Sequence, residues 1–263
     1  MAKRKRIWNE DKYRRYVAEG RGQGVLSAYK PWIYIHDFPS KGVVSRVKGI
    51  TTGRIHHLLS NYELCYFYLL DWSEKAIDIR EQFPLADLSD AIRIADKMGV
   101  RYPYNMVSGF PYVLTSDFLI TTKDGMVARS VKHTKDLENP RVREKLEIER
   151  QYWKARDINW QLVTEKEISK TKARNIEWLL TGSDLSELIA ADEIRQDSKE
   201  YFIELYADMS VNFSRILNTV EHDLNLQEGT AMCIFKTLVL ERKISLDMEK
   251  SICLSEPRER SRL

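Results

Sequence analysis

Apolar residues recur at helical spacing from Ser60 to Trp72, where Leu59, Tyr62, Tyr66, Leu69 and Leu70 fall along one face. Alternation replaces that period over Ala76–Phe83 and stops at Pro84, as a strand does. A helical stretch is expected around Ser89–Met98. Two alternating runs, Tyr112–Thr121 and Met126–His133, flank Lys123-Asp124-Gly125. Asp-Gly between alternating runs is a strong hairpin signal, because glycine supplies the turn conformation that matches strand twist. Asn139-Pro140 opens a long amphipathic helix to about Arg156, since proline suits the first helical turn. Trp160–Thr164 is short and mostly apolar and reads as a buried strand. The order helix, strand, helix, hairpin, helix, strand predicts a mixed α/β layer. Beyond Glu165 the pattern turns helical through Asn175–Leu180, Leu185–Ala191, Lys199–Val211 and Glu228–Glu241, with a short alternation over Arg242–Met248. A domain boundary near residue 168 follows: an α/β domain over 1–168, its first 20 residues a basic lead-in, and a mostly helical domain over 169–263.

Length fits this division, since 263 residues are long for one domain. With 43% hydrophobic and 31% charged residues, disordered and fibrous classes are excluded. No run approaches the roughly 18 apolar residues of a membrane span, and no apolar core follows the opening Met-Ala-Lys-Arg-Lys-Arg, so no membrane partner is expected. Cys65, Cys233 and Cys253 are odd in number and far apart, which argues for reduced cytoplasmic thiols and against zinc or disulfides. The net charge of +3 permits nucleic-acid binding without demanding it. The first fifty residues are basic and aromatic-rich, and residues 1–6 read as a flexible lead-in. In Glu19-Gly-Arg-Gly-Gln-Gly24 the glycines permit tight turns, and the arginines nearby are placed to meet phosphates. That glycine run lacks the preceding strand and following helix of a dinucleotide loop.

Candidate chemistry centres on Asp117, a carboxylate inside the apolar run Thr115–Ile120. A mid-strand carboxylate loses hydration and persists only if paired or bound to a cation. With the turn centred on Asp124, residues whose numbers sum to about 248 face each other, so Asp117 lies opposite residue 131, give or take one. Ser130 and Lys132 share a face of their strand. A small register adjustment brings Lys132 beside Asp117. Glu63 borders the buried face of the 60–72 helix; if that helix packs on the hairpin, two carboxylates and an ammonium share one site. Hard oxygen ligands suit Mg²⁺ or Mn²⁺. Phosphodiester hydrolysis fits: Asp117 and Glu63 hold metal, the metal activates water and screens the phosphate, and Lys132 stabilises charge or positions the nucleophile. Other readings stand beside this one. Ser60-x-x-Glu63 is also a capping box, and Asp117 with Lys132 is also a plain cross-strand ion pair. His56-His57 reads as a surface or staple feature. The Arg141–Arg156 helix reads as mostly a solvated face, with Glu149 at most supporting the site.

The pattern of acid on helix, acid on strand, turn, then lysine on the next strand resembles the PD-(D/E)xK nuclease superfamily. Flanking words narrow it: Glu19–Gly24, Gly53-Arg-Ile-His-His-Leu-Leu-Ser60 leading to Glu63, Ile77–Leu85, Ser116-Asp-Phe-Leu119, Val131-Lys132, Glu144-Lys-Leu-Glu147 with Glu149-Arg150 and Tyr152-Trp153, and Asn175-Ile-Glu-Trp-Leu179. Together they are similar to the TnsA family, from about residue 19 to 180. The resemblance implies a restriction-endonuclease-like N-terminal domain and a winged-helix C-terminal domain in a bacterial, cytoplasmic protein. It implies cleavage of the 5′ strand of double-stranded DNA at transposon ends, beside a TnsB-like transposase and a TnsC-like AAA+ ATPase, the latter met chiefly through the C-terminal domain. Glu63, Asp117 and Lys132 would be catalytic, with Mg²⁺ (or Mn²⁺ in its place) bound by Glu63, Asp117 and the Val131 backbone carbonyl. Ser130 stands where the superfamily usually has Gln or Glu. Its shorter, uncharged hydroxyl argues against a direct metal bond and for contact through a bridging water. Gln227–Glu241 with Arg242–Met248 is compatible with a winged helix's second helix and wing, but its acidic exposed side favours protein docking. Two alternatives remain: a non-catalytic module bridging transposase and ATPase, and a stand-alone restriction or repair nuclease.

Overall fold

In the computed structural model, which describes residues 7–37, 43–181, 196–208 and 210–254, the chain divides into two units, Met1–Ile168 and Ser169–Leu263. The first unit runs α1 (Glu10–Ala18), β1 (Ser45–Lys48), β2 (Ile55–Leu58), α2 (Asn61–Asp71), β3 (Asp78–Pro84), α3 (Leu88–Lys97), β4 (Thr115–Thr122), β5 (Gly125–Val131), α4 (Pro140–Lys154) and β6 (Asn159–Val163). Strands β3, β4, β5 and β6 form a four-stranded sheet in that order. β3, β4 and β5 pair antiparallel, and β6 lies parallel to β5. A parallel neighbour needs a crossover, and α4 provides it.

Side-chain alternation then decides which helices the sheet binds. Leu119 and Ala128 are register partners and join Leu85, Ile94, Ile148 and Trp153 in one buried cluster, which seats α3 and α4 on the sheet. Phe118 is fully buried too, and Tyr66 of α2 meets its ring edge-on at 5.7 Å. The helix carrying Glu63 is therefore packed on the hairpin strand carrying Asp117.

The β4–β5 turn is one position tighter than expected. Thr122 pairs with Gly125, so paired residues sum to 247 and the loop is Lys123-Asp124 alone. β4 also begins at Thr115 and not at Tyr112, and β5 ends at Val131 and not at His133. At Asp117 the regular pairing lapses on both sides. The β3–β4 ladder skips Gln82, whose φ is +48°, and the β4–β5 ladder stops at Phe118–Arg129.

Three features of the first 60 residues differ from the sequence reading. Residues 7–20 are not a lead-in: Trp8 and Tyr16 are buried with Trp32 and Val113, and the Trp8 indole donates to the Pro111 carbonyl at 2.8 Å. Arg21 is 8% exposed and is not presented to phosphates. Its guanidinium binds Glu19, Asp37 and the Trp32 carbonyl. The turn beside it needs glycine, because a Cβ at Gly22 (φ +75°) would stand 2.4 Å from the Pro84 ring. Finally, β1 and β2 form a two-stranded sheet that the hydrophobic pattern did not reveal.

That small sheet is fixed to β3 by a buried polar network. Glu81 accepts both ends of the Arg54 guanidinium, the His56 ring at Nδ1 and the His57 amide. Arg54 also donates to the Ile79 and Leu26 carbonyls, and Thr52 Oγ1 meets His56 Nε2 at 2.7 Å. Against the upward push of burial, the Arg54 and His56 hydrogen bonds pull the Glu81 carboxyl down to about 2. His56 is fully buried, so it is no surface feature. The network sets the path of β2, which leads directly into the cap of α2.

The second unit contains α5 (Lys170–Leu180), α6 (Gln196–Ala207), α7 (Phe213–Asp223) and α8 (Thr230–Leu240). The last three pack on one another through Phe202, Phe213 and Phe235, with the Phe213 and Phe235 rings 4.7 Å apart. α7 was not anticipated, although Phe213, Ile216 and Val220 mark its buried face behind the Asn212 cap. The expected helix at Leu185–Ala191 lies outside the described residues. The described residues of this unit contain no strand, so the alternation at 242–248 is not a wing strand. Ile244 and Met248 are buried, and the Asn175 side-chain amide donates to the Met248 and Lys250 carbonyls in place of a strand partner. Among the described residues no helix is long and apolar enough to cross a membrane.

Because Glu81 is buried and paired, removing one partner strands the other charge in a dry interior. Arg54→Ala should cost about 3–5 kcal/mol, read as a lowered urea midpoint, and Arg54→Lys should recover only part of it, since an ammonium lacks the fork that grips both oxygens.

Candidate active site

Glu63 stands in the first turn of α2, where Ser60 is the cap. Ser60 Oγ accepts from the Glu63 amide at 3.1 Å and donates to Glu63 Oε1 at 3.0 Å. The other oxygen, Oε2, accepts from the Leu59 amide at 3.0 Å and from the Gln82 side chain at 3.1 Å. The capping box is therefore real, and it holds the carboxylate still with the helix dipole in its favour. It does not neutralise it. Burial, and after it the negative charge of Asp117, push the Glu63 carboxyl up to about 7.

Asp117 is 7% exposed. Its Oδ2 accepts from the Val131 amide at 2.6 Å and from Lys132 Nζ at 2.7 Å. The Val131 amide reaches the side chain because the β4–β5 ladder has already lapsed there. Lys132 is fixed at its backbone by the Val163 carbonyl of β6, and its ammonium also donates to the Val131 carbonyl at 2.9 Å. Burial would lower the lysine pKa, but Asp117 and, more weakly, Glu63 raise it above the ordinary value. The ammonium is therefore a permanent cation in the site. The structure thus brings Glu63, Asp117, Val131 and Lys132 together.

Ser130 is engaged elsewhere. Its hydroxyl donates at 2.5 Å to Glu149 Oε1, which also accepts from Ser116 and from the Trp160 indole. Glu149 is buried, in the supporting position beside the site that was expected of it at most. Burial pushes its carboxyl up to about 7, with Asp117 adding to the effect.

Gln82 escaped the sequence reading. Its amide donates to Glu63 while its carbonyl oxygen accepts from Thr115 Oγ1 at 3.2 Å, and the Trp32 amide bonds its backbone carbonyl. A non-glycine residue at φ +48° inside a strand is uncommon and is kept only when surroundings hold it. No periodicity signals this; the available clue was a polar Gln in a strand whose other residues read as core.

Two buried carboxylates, a backbone carbonyl and a lysine at a break in a mixed sheet are of the class of arrangement that can serve hydrolysis of an anionic substrate. Comparison with known proteins gives that class a name. Residues 73–165, which include Asp117, Val131, Lys132 and Glu149, match the family model described as TnsA-like endonuclease N terminal. Residues 167–248 match the model described as TnsA endonuclease C terminal. These matches place the chain among endonucleases. Over 254 residues it is 36% identical to the Transposon Tn7 transposition protein TnsA of Escherichia coli, covering 95% of this chain and 91% of that protein. The chain belongs to the TnsA endonuclease family.

Glu63 and Glu149 hold their protons more tightly folded than at the ordinary carboxyl value of 4.5. Each contributes stability that is full below that value and is lost as pH rises through about 7. The metal-free melting temperature should therefore fall between about pH 5 and 8, and Glu149→Gln should flatten that slope. Gln82→Ala removes a donor to the charged form of Glu63 and should raise its pKa further, as carboxyl-carbon NMR titration would show.

Proposed function

We propose that this protein is a metal-dependent DNA endonuclease that cuts the 5′ strand at transposon ends during cut-and-paste transposition. The observation that carries the site assignment is the buried Asp117 carboxylate, held at 2.7 Å by Lys132 Nζ, on the strand against which the helix bearing buried Glu63 packs.

The donor set fits a hard divalent cation. Carboxylates and a carbonyl, without thiolate or imidazole, suit Mg²⁺, with Mn²⁺ able to replace it. Among the described residues no group of three or more His, Cys, Asp or Glu side chains could hold a metal. Magnesium is commonly held by one or two carboxylates with substrate phosphate and water completing its sphere, so a two-carboxylate site suits it. Glu63, Asp117 and the Val131 carbonyl would hold the ion, with Ser130 acting through its bond to Glu149. When bound, the cation supplies Lewis-acid charge at the scissile phosphate.

The protein's own groups do the positioning. The Leu59 amide, Ser60 and Gln82 fix the Glu63 carboxylate, and the Val131 amide fixes Asp117. Lys132 keeps a positive charge where negative charge develops on the phosphate, and orients the attacking group. Sequence resemblance extends this reading to a TnsB-like transposase and a TnsC-like ATPase as partners, with the helical unit docking the ATPase. The winged-helix description of that unit rests on family resemblance alone; α6, α7 and α8 pack on one another, and its described residues form no wing strand. Exposed Glu228, Glu241 and Asp247 stand beside exposed Arg242, Lys243 and Lys250, so protein docking by this unit rests on the resemblance.

Strand cleavage of a transposon-end duplex, with Mg²⁺ and a TnsB-like transposase present, should be abolished by Asp117→Ala and fall about 100-fold or more in Lys132→Ala. Undiminished cutting by folded Asp117→Ala protein would overturn the site. Calorimetric Mn²⁺ titration separates the assembly-module reading: binding heat that disappears in Asp117→Ala supports a metal site, and a folded wild type that takes up no Mn²⁺ supports a bridging module.

A further inference from the structure

Lys145, on α4, lines a cavity of ≈ 430 Å³ that also presents Thr115, Asp117, Lys132 and Glu149. It is half-buried there, and among the described residues it forms no ion pair. Its helix neighbours behave differently: Arg141 pairs with Glu144, and Arg150 with Glu147. Glu149, one turn on, has its Oε1 taken by Ser116, Ser130 and Trp160 and does not serve Lys145. Asp136 lines the same cavity and forms no ion pair with Lys145 either. Burial, then the positive charges of Arg141 and Lys132, lower the Lys145 pKa, and no acid opposes them.

A partly dehydrated ammonium with like charges nearby and no counter-ion is unfavourable in the free protein. It becomes favourable once an anion enters the cavity. Lys132 is already committed to Asp117 and the Val131 carbonyl, so Lys145 is the group placed to receive that anion. We propose that Lys145 is a phosphate-binding residue, gripping the DNA backbone beside the scissile bond. This rests on reading the cavity as the cleavage site. A lysine suits the task because it meets phosphate as a mobile point charge and needs no fixed bidentate geometry.

The test uses the full chain and a fluorescein-labelled DNA duplex in EDTA, followed by anisotropy over a salt series. Lys145→Ala should weaken binding about tenfold at low salt and make the slope of log affinity against log salt shallower by about 0.9, the signature of one lost phosphate contact. Lys145→Arg should restore the slope. A purely structural role would lower the melting temperature and leave the slope alone, so Lys145→Gln, which keeps the stem and loses the charge, is measured beside it. Wild-type slope in folded Lys145→Gln protein overturns the proposal. A wild type that never cuts with Mg²⁺ and a TnsB-like transposase present, with the slope still altered in Lys145→Gln, removes the cleavage reading and keeps the phosphate contact. Normal cutting by the wild type with no change in slope does the reverse.

Discussion

The constraint on which the rest of the first unit depends is the crowding of carboxylates out of water around Asp117. Taking a charged carboxylate from water costs several kcal/mol unless hydrogen bonds and opposite charge return it. Lys132 and the Val131 amide do this for Asp117. For Glu63 the helix cap and Gln82 supply donors, but among the described residues no cation is hydrogen-bonded to it, and its pKa stays raised. Glu149 has neutral donors alone. The site therefore carries more acid than Lys132 neutralises, and its geometry survives because surrounding elements hold it. The sheet contributes by what it omits: without the lapsed pairing at Asp117, the Val131 amide would belong to a strand ladder and could not orient a side chain.

Charge placed elsewhere in the unit makes the contrast plain. Glu81 is as deeply buried as Glu63, yet its pKa falls to about 2 where that of Glu63 rises to about 7. The difference is Arg54, whose guanidinium meets both oxygens of Glu81, with His56 beside it. The two acids lie on opposite sides of Gln82: Glu81 precedes it on β3, and Glu63 accepts its amide. A fully satisfied network thus adjoins an under-satisfied one, and the rigid side holds the strained side in place. Local conflict that survives next to strong local consistency is what a functional site looks like energetically.

Much of this was legible from residue order. The Lys123-Asp124-Gly125 turn between alternating runs put Lys132 beside Asp117 to within one register step, and the Ser60–Glu63 box fixed the start of α2. Asn139-Pro140 likewise marked the start of α4. These are local signals, set by turn chemistry and caps. What was not legible depended on contacts far apart in the chain. Arg21 looked like a phosphate ligand because its partner Asp37 lies 16 residues on. His56 looked superficial because Glu81 lies 25 residues away. Glu149 could be read only as a supporting acid on a mostly solvated helix, because its partners Ser116 and Ser130 come from different strands. The missed helix at Phe213 is different in kind: its period was present, but it follows the preceding helix too closely to separate by pattern alone.

The excess of buried acid also fixes how stability and activity trade against each other. In a site whose carboxylates are neutralised by protein cations, removing one acid leaves a stranded cation and destabilises the fold, as at Arg54 and Glu81. Around Asp117 the sign is reversed for Glu63 and Glu149, because each is held above its ordinary pKa and its ionisation works against folding. A sequence shaped by stability alone would replace those two acids with amides or apolar groups. Both acids are kept in place by the cap, the Gln82 amide and the hydroxyls aimed at them. Two acids held above their ordinary pKa are where an arriving positive charge would gain most.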